Sequence, residues 1–123
     1  MNLSVSYPDT ACLGQNSRIH WKAKANATRK AKTEAHRAVL SQLTPLQRVA
    51  LKQAKQVRIS YQWHAKPTGT IVDDDNMIGL MKSTRDGIAQ AIGIDDKVFK
   101  TVGAECIGRC DGGSVLIILE AVM

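Results

Sequence analysis

The sequence predicts an α+β fold: a mixed β-sheet with helices packed on it, in the order β-α-α-β-α-β-β. Three observations carry this expectation. Apolar residues alternate with polar ones in two short segments, as in strands with one buried face. Apolar residues recur at helical spacing in two longer segments, and a capping-box sequence starts a third helix. The 123 residues suffice for one core and not for two, so residues 1–123 form a single domain with no internal repeat or linker.

The elements follow in order. Leu3, Val5 and Tyr7 alternate with Ser4 and Ser6, a first strand. Pro8 to Ser17 carries Pro8, Gly14, Asn16 and Ser17 and reads as a loop. From about Ala27 to Leu43, the residues Ala31, Ala35, Ala38, Val39 and Leu43 mark a helix with Arg29, Lys30, Lys32 and Arg37 on its other faces. Thr44-Pro45-Leu46-Gln47 has the form of a capping box with proline at the first helical position, which starts a helix running to about Lys55. Val57, Ile59, Tyr61 and Trp63 alternate with Arg58, Ser60 and Gln62 in a second strand. After a loop holding Pro67 and Gly69, Met77, Leu80, Met81, Ile88, Ala91 and Ile92 form one stripe of a helix over 76–91, closed by Gly93. Strands over 98–107 and 114–119 flank Asp111-Gly112, a hairpin signal in a loop longer than two residues.

Hydrophobic residues are 44% of the chain and charged residues 23%, an ordinary globular composition. No apolar run approaches the roughly 20 residues needed to cross a bilayer, and the start of the chain lacks the pattern of a secretory signal. Cys12, Cys106 and Cys110 are too few for a disulfide scaffold, which points to a cytoplasmic protein. Cys106 and Cys110 lack partners at zinc-site spacing, and His20, His36 and His64 share no motif with them. Trp21 and Trp63 are expected in the core or at an interface between subunits.

The net charge of +6 is unevenly spread. Residues 1–70 hold twelve Lys/Arg and two acids, a balance of +10, whereas residues 71–123 hold five Lys/Arg and nine acids, a balance of −4. A basic body suits a polyanion, because neutralising phosphates releases condensed counterions. Clustered acids oppose that attraction, so Asp73-Asp74-Asp75 and Asp95-Asp96 call for a separate explanation. One is structural: acids cap and favour helix N-termini, and they suit turns. The other is the binding of a hard cation by carboxylate oxygens. In extended chain, residues two apart point to the same side, which lets Asp73 and Asp75 converge. An EF-hand is excluded, since its glycine and closing glutamate positions hold Ile78 and Thr84. Lys82, about two helical turns after Asp75, is placed to hold a phosphate.

The run Asp73-Asp74-Asp75-Asn76, an amphipathic helix, and then Gly93-Ile94-Asp95-Asp96-Lys97-Val98 resembles the RusA family of Holliday-junction resolvases, found in bacteria, phages and prophages. The layout is similar along most of the chain: an N-terminal strand, a loop with Asn16 and Arg18, a basic helix, a strand and a closing hairpin. The specific motifs occupy residues 73–98. The resemblance implies a homodimeric, Mg²⁺-dependent endonuclease that nicks four-way DNA junctions in recombination and repair. It implies that Asp73, Asp75 and Asp96 bind the metal and serve catalysis, with Asp95 as the alternative third ligand. The family's lysine position is Gly79 here, and its role passes to Lys82. Where the family often carries a basic run, this chain has Thr68-Gly69-Thr70, with Lys66 and His64 nearby. The DNA contacts are expected from Arg18, Lys22, Lys24, Arg29, Lys30, Lys32 and Arg37. Two other readings stay open: a non-catalytic protein that binds branched DNA, and a metal nuclease with wider taste for forks or flaps.

Overall fold

The computed structural model describes residues 1–14 and 18–123, so the expected loop residue Asn16 lies outside the described residues. Strands β1 (Asn2–Val5), β2 (Gln56–Ala65), β3 (Phe99–Arg109) and β4 (Ser114–Val122) form one sheet in the order β1-β4-β2-β3. β2 pairs parallel with β3 and antiparallel with β4, and β1 pairs antiparallel with β4. The sheet is therefore mixed, as expected. Along β2 the alternation is plain: Val57, Ile59, Tyr61, Trp63 and Ala65 are buried, while Arg58, Gln62 and His64 face away. Leu3 and Val5 of β1 and Val115, Ile117 and Leu119 of β4 join the same core.

Helices supply the other half of that core. They are α1 (Thr10–Leu13), α2 (Trp21–Gln42), α3 (Pro45–Gln53), α4 (Asp74–Leu80) and α5 (Lys82–Ile92), followed by a 3₁₀ turn at Asp96–Val98. α1 falls within the segment read as loop; Asp9 caps it by accepting from the Ala11 and Cys12 N–H groups, each at 3.1 Å. α2 begins at Trp21 rather than near Ala27, with the His20 ring accepting from the Lys22 N–H at 3.2 Å. Its first turns bury nothing fully, so they leave no apolar stripe to read. The Thr44–Gln47 capping box forms in both directions, at 2.9 and 3.2 Å. The helix over 76–91 becomes two helices, α4 and α5, meeting at Met81, whose φ of −88° and ψ of 2° depart from helical values. Gly93 ends α5 at φ +87°, a left-handed conformation costly for any residue with a Cβ.

The expected closing hairpin is not present. β3 and β4 are not neighbours, because β2 lies between them. The segment Cys110–Gly113 instead bridges across the end of β2, where the Cys110 N–H donates to the Ala65 carbonyl at 2.9 Å. A turn signal reports that the chain reverses, and says nothing about which strand fills the gap.

α2 and α5 cross closely at Gly87, where an added Cβ would stand 2.6 Å from the Lys32 carbonyl oxygen and 2.9 Å from the Ala35 Cβ. Both obstacles belong to a helix that the sheet holds in place. Gly87→Ala is expected to cost about 1–3 kcal/mol, read as a lower urea midpoint at unchanged slope.

Burial pushes the Tyr61 phenol up from 10.0 to about 12, with Arg85 pulling it down and Asp86 up. Between those values the folded chain keeps a proton that the unfolded chain has lost, so stability falls as pH rises. Relative to Tyr61→Phe, the native protein should lose nothing below pH 10 and on the order of 2 kcal/mol by pH 12, measured as unfolding free energy against pH.

Candidate acidic site and basic surface

The sheet has two ends, and the acids divide between them. Asp73 follows the C-terminal end of β2 and caps α4. One of its carboxylate oxygens accepts from the Asn76 N–H at 2.9 Å and the other from the Asn76 side-chain amide at 3.3 Å. Asn76 thus orients the Asp73 carboxylate. Asp74 and Asp75 already lie in the first helical turn, where the unpaired N–H groups favour negative charge. The extended stretch that would set Asp73 and Asp75 side by side therefore ends at Asp73. All three carboxylates are exposed. The loop before them is pinned by Arg109 at the end of β3, whose guanidinium donates to the Lys66 carbonyl at 2.9 Å and the Gly69 carbonyl at 3.0 Å.

Asp95 and Asp96 lie at the opposite end, just before β3 begins beside Val57 at the start of β2. Asp95 caps the 3₁₀ turn by accepting from the Lys97 N–H at 2.9 Å. That bond, the Asp96 side chain and the Lys97 charge hold its carboxyl below the usual range. Asp96 is the exposed first residue of the turn.

The structure sets Asp73 and Asp75 at the start of α4 and Asp96 after the end of α5. Between the two groups run α4 and α5, separated at Met81. Among the described residues, no three Asp, Glu, His or Cys side chains gather closely enough to hold a metal ion.

The basic residues side with the first acid group. α2 runs against β1: the Gln42 side chain bonds both backbone groups of Ser4, at 2.7 and 3.0 Å, and Glu34 accepts from the Ser6 N–H. Its N-terminal half therefore projects beyond β1 toward the end that holds Asp73. Lys22, Arg29 and Lys30 are exposed there, with Lys24 half-buried; Arg18 is exposed just before the helix, and in its second half Arg37 is exposed and Lys32 half-buried. Arg29, Lys30 and Arg37 line a groove of about 840 Å³ between α2 and the Val5–Asp9 segment. Lys66 lies over the Tyr7 ring at 5.8 Å on the same end. Lys82, first in α5, is exposed.

Trp63 is buried, as expected, whereas Trp21 is 67% exposed with the Lys22 ammonium 5.7 Å from its ring. The part played by Arg109 had no local signal, because the carbonyls it holds are 43 and 40 residues away along the chain.

No family model matches the chain. It is 33% identical over 98 residues to an uncharacterized protein of Xylella fastidiosa (strain Temecula1), across 80% of this chain and 61% of that one. The aligned part thus spans less than two thirds of that relative's length.

Asp73→Ala should remove the cap of α4 and cost about 1 kcal/mol, seen in chemical denaturation, with Asp73→Ser recovering most of it.

Proposed function

We propose that the protein is a Mg²⁺-dependent endonuclease of the RusA type, acting in the cytoplasm of a bacterium or phage-infected cell on four-way DNA junctions as a homodimer. One observation carries this reading: the Asp73-Asp74-Asp75-Asn76 motif opens α4 at the same end of the sheet as the basic half of α2. Anions set into a surface that would meet phosphates weaken plain binding, so they are better explained by chemistry on a phosphodiester. Lys22, Arg29, Lys30 and Arg37 would track the backbone, and Lys82 would hold the phosphate nearest Asp75. With aromatics at 4%, phosphate contacts outweigh base stacking. No membrane partner is invoked: among the described residues, no helix is long and apolar enough to cross a bilayer.

A second reading is favoured by the separation of Asp75 from Asp96: a non-catalytic protein that coats branched DNA. Labelled four-way junction, fork and duplex, each with Mg²⁺ or EDTA, separate the readings on one gel. Junction nicking that needs Mg²⁺ supports the resolvase. Equal cutting of forks supports a broader nuclease, and binding without cutting supports the coating protein. Asp75→Asn should abolish cleavage and leave junction affinity within about threefold, since affinity rests on the cations. Raising salt from 50 to 200 mM should weaken binding about a thousandfold if some six phosphates are neutralised, and a flat response would exclude a phosphate-led mode.

A further inference from the structure

α3 and the end of α5 leave a cleft between them. It holds about 270 Å³ and is lined by Pro45, Arg48, Val49 and Lys52 of α3 and by Ala91 and Ile92 of α5. Both walls are held in place. The Thr44–Gln47 capping box anchors the start of α3, its Leu51 is fully buried, and Gly93 closes α5. The volume falls below the roughly 300–1,000 Å³ of small-molecule sites, so it suits a side chain of another polypeptide. Val49 is 50% exposed at this cleft, and Leu46, one turn earlier, is 83% exposed.

The rim of the cleft is basic. Arg48 and Lys52 stand four residues apart on α3 and so share a face of that helix. Among the described residues, neither side chain forms an ion pair or a hydrogen bond. The Arg48 Nε is buried without a partner, a costly state for a charged donor that an incoming carboxylate would relieve. A Cβ built on Gly93 would stand 3.7 Å from the Lys52 Nζ, which sets that ammonium over the last turn of α5. The carbonyl end of a helix favours a cation there, so Lys52 is held beside the cleft.

We infer that this cleft binds an acidic segment of another protein, with one bulky apolar side chain seated against Val49 and Ile92 and carboxylates set on Arg48 and Lys52. Two unpaired cations beside an apolar floor select for carboxylate and hydrocarbon together. The guanidinium takes a carboxylate through two parallel bonds, and the ammonium adds a point charge. Duplex DNA offers its phosphates outermost and brings no aliphatic side chain to the floor. A second copy of this chain carries the same net charge of +6, which opposes its docking on a basic rim. The nearest acids along the chain, Asp95 and Asp96, pair with neither cation among the described residues, and Asp95 accepts from the Lys97 N–H at 2.9 Å. The contact does not depend on the nuclease reading.

The test uses the full chain and a fluorescein-labelled peptide, Glu-Asp-Glu-Phe-Asp-Leu-Glu-Asp, read by fluorescence anisotropy. The native protein should bind it. A peptide with Phe and Leu changed to alanine, and one with its acids changed to amides, should each bind about tenfold more weakly or worse. Lys52→Glu and Val49→Asp, both at exposed positions, should each weaken binding of the acidic peptide by about tenfold or more, and Arg48→Gln should do the same. Urea midpoints near native show that the variants are folded, and the peptide controls decide the matter on the native chain alone. No binding at about 100 μM protein, equal binding of the three peptides, or native affinity in the folded variants would overturn the inference. Displacement of the peptide by unlabelled duplex DNA would assign the cleft to DNA. Loss of a native dimer on Val49→Asp, seen by sedimentation, would assign it to a second copy. Either result also overturns the proposed partner.

Discussion

The parallel pairing of β2 with β3 governs the rest of this molecule. Two parallel neighbours cannot be joined by a tight turn, because the chain must return the full length of the first strand before starting the second. Here α4 and α5 make that return, and their apolar stripe of Met77, Leu80, Met81, Ile88 and Ile92 covers the sheet on the way. The connection therefore opens at one end of the sheet and closes at the other. Acids placed at its two termini are separated by its length, whatever their spacing suggests on paper.

That separation changes what the acidic motif means for one chain. Asp73 and Asp95 both cap short helical segments, so each group has a local structural use. Capping alone leaves Asp75 and Asp96 without a purpose, exposed in a chain of net charge +6. α2 points its N-terminal end, with Lys22, Arg29 and Lys30, toward the end of the sheet where Asp73 and Asp75 stand.

The secondary structure was legible wherever a buried face imposed a period. β2, α3 with its capping box, and the stripe of α4 and α5 could be read almost residue by residue. The N-terminal turns of α2 were not, because exposed lysines and alanines contribute helix without contributing pattern. α1 was hidden for a similar reason, being four residues held by the Asp9 cap. The motif residues Asp73, Asp75, Asn76 and Asp96 were also visible, since residue type and spacing along the chain are sequence properties.

By itself the sequence determined the α+β class, the order of the main elements, the uneven charge and the identity of the acids. Only the tertiary structure decided that β2 lies between β3 and β4, that Arg109 pins the loop before Asp73, and that the acids stand apart. The physical reason is common to all three. Periodicity and capping are local, acting over a few residues, whereas strand order and end-to-end placement depend on contacts between segments tens of residues apart. Such contacts are chosen by how whole faces bury one another, and no short stretch of sequence carries that information.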